Sequence, residues 1–280
     1  MDAPAVSVVV PTRGRVGYLQ VTLHSLESQD PAAPYELLVV DDGSTDGTRE
    51  LLGRRGAPSL RLDPSRGLNA ARNAGVKATR GKLVAFVDDD VEVPSGWLHA
   101  LMEGAERNPE AEAFGGPIRA RFEGPAPRGC GREDPPLTTL DLGPEDRACE
   151  VVWGANMLVR RSAFDRIGGF DEQIEGGGDE EQWLERLRAA GGRVVYLAAA
   201  GLDHRRAGDD ARLRSLVRGA FTRGRGLRAF DARRGRAPGL GRELRVLAGC
   251  GWHTVRRACP QGLVMGAHSL GRTVEAVRRH

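Results

Sequence analysis

Short apolar runs alternate with segments of helical periodicity along most of the chain, and this alternation limits the fold more than any other feature. The runs at residues 6–10, 35–40 and 82–87 are rich in valine and leucine, and a segment with apolar residues at helical spacing follows each of them. Continuous apolar runs of this length are typical of strands that are covered on both faces. The pattern therefore predicts an α/β fold in which helices flank a mostly parallel sheet.

Turns rich in aspartate follow two of the predicted strands. The sequence DDGSTDGT begins at residue 41, and DDD occupies residues 88–90. The carboxyl ends of parallel strands share one edge of the sheet, and open α/β sheets bind their ligands at that edge. We therefore expect both turns to line one crevice, where the first could accept hydrogen bonds from a base and a ribose.

The acidic triplet Asp88, Asp89 and Asp90 has no cation beside it in the sequence. A divalent metal would relieve the repulsion among these carboxylates, and carboxylate oxygens are the ligands that Mg²⁺ and Mn²⁺ prefer. The alternative is a solvated acidic turn.

A predicted helix at residues 67–79 carries Asn69, Arg72 and Asn73 in its first turn. Backbone N–H groups at a helix N-terminus, together with an arginine, favour a phosphate. A surface ion pair is the alternative for Arg72.

Five segments, in this order, resemble the family 2 glycosyltransferases of the GT-A fold. They are SVVVPTRGR, LLVVDDGSTDGT, GLNAARNAGVKATRGKLVAFVDDDVEV, GANMLVRRSAFDRIGGFDE and GDEEQWLERLRAAG. The resemblance covers roughly residues 5–205 and implies a Rossmann-like GT-A domain over residues 1–205. It also implies inverting transfer of a sugar, of the hexosyltransferase type, from a nucleotide-diphosphate sugar to an acceptor hydroxyl, assisted by Mn²⁺ or Mg²⁺.

The resemblance further implies roles for residues on the donor side of the crevice. Those that would contact the base, the ribose or the nearby phosphates are Pro11, Thr12, Arg13, Asp41, Asp42, Asn69, Arg72 and Asn73. In the D-x-D motif of the family, Asp88 would face the ribose or the metal and Asp90 would bind the metal directly, while Asp89 fills the variable middle of this nucleotide site. His204 corresponds to a further metal ligand or a pyrophosphate contact, with a structural histidine as the alternative.

An inverting transfer needs a carboxylate that deprotonates the acceptor hydroxyl. Relatives usually carry Glu-Asp at the start of the last helix of the motif, whereas this chain has the reversed order, Asp179 and then Glu180. Glu180 stands at the usual position of the base, and Asp179 and Glu181 are the alternatives. The residues that would shape the sugar or acceptor pocket are Trp153, Gly154, Asn156 and Trp183, where core packing is the alternative for both tryptophans.

The net charge of +3 conceals two oppositely charged parts. Residues 205–280 contain 18 arginines and five acidic residues, a net charge of +13, and the preceding residues carry −10. We interpret residues 206–280 as a basic helical region whose apolar positions pack against other elements. Attraction to anionic lipid is the second hypothesis. Nucleic-acid binding is disfavoured because no aromatic platform or reader motif accompanies the charge.

The sequence also bears on location and on competing functions. It lacks a run of about 18 apolar residues that could span a membrane, the apolar run at residues 6–10 is too short for a signal peptide, and the four cysteines lack metal-site spacing. We therefore expect a cytoplasmic protein with reduced thiols and at most peripheral contact with the inner membrane face.

For substrates we expect a UDP-sugar ahead of a GDP- or dTDP-sugar, and a sugar, lipid-linked or small-molecule acceptor, as in the synthesis of cell-envelope polysaccharide. A sugar nucleotidyltransferase is the competing enzyme, but it would need a Gly-rich phosphate loop after the first strand, which PTRGRVG does not provide. A catalytically silent nucleotide-sugar-binding protein is the third hypothesis, and the acids at positions 88, 90 and 180 argue against it.

Overall fold

The structure is a computed structural model that describes residues 4–29, 34–124, 138–174 and 176–278. Residues 123–148, which are rich in proline and are therefore predicted to form a loop, lie partly outside these ranges. Cys130 lies outside them. Among the described cysteines, Cys149, Cys250 and Cys259 are free thiols.

The first part of the chain alternates strands and helices, as the apolar pattern predicts. In order, the elements are β1 (Val6–Thr12), α1 (Val16–Glu27), β2 (Tyr35–Asp41), α2 (Thr48–Arg55), β3 (Ser59–Arg61), α3 (Leu68–Ala78), β4 (Leu83–Val87), β5 (Val91–Glu92) and α4 (Trp97–Arg107). The middle of the chain adds β6 (Ala113–Gly115), β7 (Ile118–Glu123), β8 (Arg147–Ala148), β9 (Asn156–Arg160), α5 (Arg161–Ile167), α6 (Asp179–Ala189), β10 (Val194–Tyr196) and β11 (Leu202–Ala207). A short 3₁₀ turn and three long helices, α7 (Leu213–Arg233), α8 (Leu240–Arg257) and α9 (Pro260–Arg278), follow.

Eight strands form the main sheet in the order β3-β2-β1-β4-β9-β6-β10-β8. The strands β1 to β4 run parallel to one another, and β6 is parallel to β10. Only β9, which is antiparallel to β4 and β6, and β8 at the edge reverse direction among the described strands of this sheet. The predicted mostly parallel sheet flanked by helices is confirmed.

The reversal of β9 decides what reaches the edge of the sheet. Asn156, the first residue of β9, pairs with Val87, the last residue of β4. The turn that precedes β9 therefore lies beside the acidic triplet that follows β4. The run VVWGANMLVRR predicts a strand here, but a continuous apolar run does not encode the direction of its strand.

The core has two layers, one on each face of the sheet. Along β1, Val8 and Val10 belong to the layer that includes α1 and α4, whereas Val9 belongs to the layer that includes α5 and α6. This division follows from the two-residue repeat of a strand. Both layers contain a fully buried tryptophan, Trp97 in the first and Trp183 in the second.

The strand β11 was not predicted. The apolar pattern predicts a last strand at residues 192–199, which would leave His204 just after it, but His204 lies within β11 and pairs with Val91 of β5 in a second sheet of order β5-β11-β7. This strand has the sequence LDHRRA. It contains four charged or polar residues in a row and therefore lacks the apolar run by which the other strands were predicted. The pairing brings His204 next to the acidic triplet because β5 begins directly after it.

The chain divides into two compact units. The first comprises Met1–Arg119, Thr139–Gln173 and Asp179–His204, and the second comprises Ala120–Thr138, Ile174–Gly178 and Arg205–His280. Two segments of the second unit thus come from inside the predicted range 1–205. The helices α7 to α9 belong to the second unit. None of the described helices is both long enough and apolar enough to cross a bilayer.

Helix α3 depends on a glycine for its close approach to the sheet. A Cβ atom at Gly75 would lie 2.3 Å from Cγ1 of Val9, whereas a Cβ atom at Gly53 of α2 would meet nothing within 4 Å. We expect Gly75→Ala to lower the free energy of unfolding by about 1–3 kcal/mol because it overpacks the core. Gly53→Ala, the matched control, should raise it by about 0.5–1 kcal/mol because alanine favours the helix. Urea unfolding measures both, and equal effects of the two changes would contradict this packing.

Candidate active site

The turns that follow β1, β2 and β4 meet at one edge of the sheet, as the parallel arrangement requires. They surround a pocket of about 260 Å³. The residues that line it are Pro11, Thr12, Arg13, Arg15, Asp42, Gly67, Leu68, Ala71, Asp88 and Asp89. Six of these were predicted to contact the donor nucleotide.

Arg15 holds two carboxylates of the acidic triplet. Its guanidinium donates to Asp89 at 2.9 Å and to Asp90 at 2.8 Å, and Thr12 donates to Asp89 at 2.6 Å. Burial raises the pKa of Asp89 to about 6, although the Arg15 charge opposes the shift. The sequence predicted Arg13 but not Arg15 as a site residue. The second arginine of the motif PTRGR was the signal that could have identified it.

The two aspartates of the DDGS turn hold the backbone of the site. Asp41 is buried and accepts from Arg61 at 2.5 Å and from the backbone N–H of Ser44 at 2.8 Å. Asp42 accepts from the hydroxyl of Ser65 at 2.6 Å and from the backbone N–H groups of residues 66 and 67. Burial opposes ionisation of Asp42, but these hydrogen bonds outweigh it and lower the pKa. Asp42 thus fixes the turn that leads into α3.

The two asparagines of α3 face a loop of their own unit. Asn73 donates to the carbonyl oxygen of Phe170 at 2.9 Å and accepts from the N–H of the same residue at 2.9 Å. Asn69 donates to the carbonyl oxygen of Asp171 at 2.9 Å. Both side chains therefore anchor the loop at residues 170–171, and their predicted contact with the nucleotide stays a prediction.

Arg72 lies at the centre of the site and is only 1% exposed. It donates to Asp179 at 2.7 Å and to Glu180 at 3.0 Å, and it lies 3.6 Å from an oxygen of Asp88. These carboxylates come from the end of β4 and the start of α6. The structure therefore excludes the alternative of a surface ion pair, since a buried guanidinium requires such partners to offset its desolvation.

Asp179 and Glu180 form a coupled pair at the N-terminus of α6. Burial and the neighbouring Glu180 charge raise the pKa of Asp179 to about 7. Burial also opposes ionisation of Glu180, but the Arg72 charge and the hydrogen bond from Asp179 outweigh it and lower the pKa of Glu180. The last proton of the pair is therefore lost near pH 7, and it is held mainly by Asp179 because Glu180 is the more stabilised anion. The Glu180 side chain is 13% exposed and that of Asp179 is 8% exposed.

Gly154 permits the close approach of Arg72 and Glu180. A Cβ atom at this position would lie 2.1 Å from Nη2 of Arg72 and 2.6 Å from Oε1 of Glu180. The backbone N–H of Gly154 also donates to Glu180 at 3.2 Å. The turn before β9 thus positions the pair, and only glycine fits there.

The other predicted pocket residues lie at different depths. Asn156 is fully buried, accepts from Trp97 at 2.9 Å and donates to the carbonyl oxygen of Ala200 at 2.8 Å, so its amide supports the core. Trp153 is half-buried against one layer of the core, and Glu181 is half-buried on α6. Trp183 is fully buried and donates to the carbonyl oxygen of Gly168 at 2.9 Å. This position agrees with core packing, the alternative to a role in the pocket.

The predicted metal ligands have suitable chemistry but do not form a closed cluster. Nε2 of His204 lies 3.2 Å from Oδ1 of Asp90. Burial and the nearby Asp90 charge raise the pKa of Asp88. Oxygen and imidazole donors suit Mn²⁺ or Mg²⁺. Among the described residues, however, no group of three such side chains is arranged to hold a metal ion. The residues fit a divalent cation by type, with Arg15 as the present partner of Asp90.

Comparisons with known proteins identify the family. The model of glycosyl transferase family 2 matches residues 7–168. The chain is 28% identical over 199 residues to the glycosyltransferase AglE of Haloferax volcanii, covering 69% of this chain and 64% of AglE. It is 33% identical over 211 residues to the N-acetylglucosaminyl-diphospho-decaprenol L-rhamnosyltransferase of Mycobacterium tuberculosis, covering 62% of this chain and 67% of that protein. The chain belongs to glycosyl transferase family 2.

Solved structures confirm the fold. The mannosyltransferase PcManGT from Pyrobaculum calidifontis, in complex with GDP-Man and Mn²⁺, superposes with a TM-score of 0.67. The superposition covers 99% of this chain and 88% of PcManGT at 17% sequence identity. The expected GT-A fold is therefore confirmed. In sequence, the chain spans less than two thirds of the length of AglE.

The raised pKa of Asp179 predicts a pH-dependent stability. A carboxyl whose folded-state pKa lies above its unfolded value stabilises the fold at low pH, and this contribution is lost as the pH rises through the folded pKa. Asparagine imitates the protonated form, so Asp179→Asn should gain stability relative to the wild type between pH 5 and pH 8. Urea unfolding at both pH values measures the difference. Asp165→Asn, on the exposed side of α5, is the control, and an Asp179→Asn difference that does not change with pH would contradict the shift.

Proposed function

We propose that this protein is an inverting glycosyltransferase that moves a sugar from a nucleotide-diphosphate sugar to an acceptor hydroxyl. The observation that carries the proposal is the buried contact of Arg72 with Glu180 and Asp179, close to Asp88. This contact joins a candidate base to the acidic rim of the pocket that follows β1, β2 and β4. The family membership supports the same activity.

The pocket beside β1 and β2 is the proposed donor site. Its walls combine Thr12, Arg13 and Asp42 with the start of α3, where backbone N–H groups favour phosphate. Asp42 is held rigid by three donors, so its remaining acceptor capacity would face the ribose in a fixed direction. Rigid placement of such groups reduces the entropy cost of reaching the reactive geometry.

Glu180 is the proposed general base. It is ionised near neutral pH, partly exposed, and fixed by Arg72 and the N–H of Gly154. As the acceptor oxygen bonds to the anomeric carbon, its proton passes to Glu180 and the bond from that carbon to the diphosphate breaks. Asp179 hydrogen-bonds to Glu180 and exchanges its own proton near pH 7, so the pair accepts a proton more readily above that pH.

Asp88, Asp90 and His204 are the proposed holders of a divalent cation. Such a cation supplies electrostatic stabilisation of the negative charge on the departing diphosphate. The acidic triplet would attract this cation by concentrating negative charge at the edge of the sheet. Arg15 and Arg72 limit the repulsion among its three carboxylates.

A UDP-sugar is the first donor to test, followed by GDP- and dTDP-sugars. A lipid-linked sugar is the proposed acceptor class, supported by the decaprenyl acceptor in the name of the mycobacterial relative. An acceptor of this kind would bring the enzyme to a membrane surface.

Replacing the base should separate binding from chemistry. Glu180→Gln keeps the size and the hydrogen-bond acceptor of the side chain but cannot take up a proton. We expect the rate of transfer to fall by roughly 10²–10⁴-fold, while the affinity for the nucleotide diphosphate changes little. Nucleotide release and isothermal titration calorimetry measure the two quantities.

Glu103→Gln, an exposed change of the same kind on α4, is the control for folding and assay. Equal losses of rate and affinity in Glu180→Gln would assign Glu180 a structural role. An unchanged rate would exclude Glu180 as the base and favour another acid of the cluster.

Removing a metal-holding carboxylate should remove the effect of the cation on binding. In the wild type we expect Mn²⁺ to tighten the binding of the nucleotide diphosphate by at least about tenfold. In Asp90→Ala this difference between titrations with Mn²⁺ and with EDTA should disappear, whereas the exposed control Asp165→Ala should retain it. Metal-dependent binding that persists in Asp90→Ala would rule out Asp90 as a ligand.

A further inference from the structure

The three helices of the second unit pack unevenly. Helix α9 lies close to α7, since a Cβ atom at Gly224 would be 2.0 Å from the carbonyl oxygen of His268 and one at Gly271 would be 2.2 Å from that of Phe221. Helix α9 also lies close to α8, where a Cβ atom at Gly262 would be 2.5 Å from Oγ1 of Thr254. In contrast, α7 and α8 make few direct contacts with each other. An open groove results, with α9 as its floor.

The groove has the size and the walls of a small-molecule site. Its volume is about 460 Å³, and ligand pockets typically measure about 300–1,000 Å³. Cys250 and Val264 form buried parts of the wall, while Val246 and Met265 remain 50% and 43% exposed at the side. Exposed apolar side chains around a groove are typical of an interaction site.

The rim of the groove is positively charged. Arg223 of α7 and Arg242 of α8 are exposed and have no acidic partner within the described parts of the chain. The one acidic residue among the described lining residues, Glu243, is buried and paired with Arg272 at 2.9 Å. Its charge is therefore offset, and the two rim arginines are available to an anion.

Ser269 adds a polar group inside the groove. It lines the groove and is only 3% exposed, and its hydroxyl has no hydrogen-bond partner among the residues that the structure describes. A buried hydroxyl without a partner carries a desolvation cost. A ligand that accepts a hydrogen bond would remove this cost.

The exposed face of α8 favours a lipid over a free phosphate as the source of the anion. Leu244, Trp252 and Val255 on this helix are 48%, 67% and 80% exposed. They share one side of the helix, and arginines stand close to them in the sequence. Helices with exposed apolar residues and flanking arginines lie in the interface of anionic membranes, and residues 205–280 carry a net charge of +13.

We propose that the groove binds an anionic phospholipid of a membrane surface, whose phosphate contacts Arg223 and Arg242 and whose acyl chain lies along Val246 and Met265. Ser269 donates to the ester oxygens, and the apolar face of α8 rests on the bilayer. The proposal does not rest on the transferase activity, because it concerns binding by the second unit.

Co-sedimentation of the full-length protein with vesicles tests the proposal. The vesicles contain phosphatidylcholine alone or an equal mixture of phosphatidylcholine and phosphatidylglycerol. The test variant is Arg223→Gln/Arg242→Gln. The control variant, Arg49→Gln/Arg54→Gln, removes the same charge from exposed positions of α2 in the first unit. We expect the wild type to bind only the anionic vesicles, the test variant to bind about tenfold more weakly, and the control to stay within about twofold.

Several results would overturn the proposal. They are equal losses in the two variants, no binding of the wild type to anionic vesicles, and displacement of the wild type by millimolar inorganic phosphate at constant ionic strength. Self-association through α8, detected by sedimentation velocity without vesicles and abolished by Trp252→Glu, would assign that face to a second copy of the chain. Thermal unfolding of each variant within about 2 °C of the wild type confirms that the fold is intact.

Discussion

The candidate site depends on one buried cation, the guanidinium of Arg72. It contacts Asp179 and Glu180 at the start of α6 and lies near Asp88 at the end of β4. Without this charge, the carboxylates would repel one another inside the protein, where such repulsion is screened far less than at the surface. Arg72 therefore allows an acid-rich crevice to exist in a folded chain.

The crevice consists of two halves with different chemistry. In the first half, Arg15 pairs with Asp89 and Asp90 beside the pocket at the ends of β1 and β2. In the second half, Arg72 pairs with Asp179 and Glu180 at the start of α6. Asp88 lies between these halves. In the proposed function, a donor diphosphate beside the first half would present its sugar toward the second, where Glu180 is the proposed base. Burial and the Glu180 charge raise the pKa of Asp179, whereas the Arg72 charge and the hydrogen bond from Asp179 outweigh burial at Glu180 and lower its pKa.

Much of this arrangement could be predicted from the sequence, because it depends on local patterns. Apolar runs identified β1, β2 and β4, and the parallel arrangement of these strands predicted that the acidic turns after β2 and β4 lie together. The direction of β9 and the existence of β11 could not be predicted, since both depend on long-range pairing that a local period does not record. His204 consequently lies inside a strand, beside Asp90.

Side-chain partners were harder to predict than backbone elements. Arg72 looked suited to phosphate or to a surface ion pair, but the neighbours that bury it are 107 and 108 residues away in the sequence. Asn73 was assigned to the nucleotide by resemblance, and in the structure its amide holds the loop at Phe170. Tertiary contacts between distant segments decide such roles, and residue type alone is compatible with several of them.

The central claim is that the acidic crevice binds a nucleotide-diphosphate sugar together with a divalent cation. A thermal-shift screen of UDP-, GDP- and dTDP-sugars, each with Mn²⁺ or with EDTA, tests it most directly. A ligand that binds only the folded state raises Tm according to its concentration relative to Kd. The account predicts that one nucleotide class raises Tm and that Mn²⁺ enlarges the increase. The absence of any shift with every donor at millimolar concentration, with Mn²⁺ present, would contradict it.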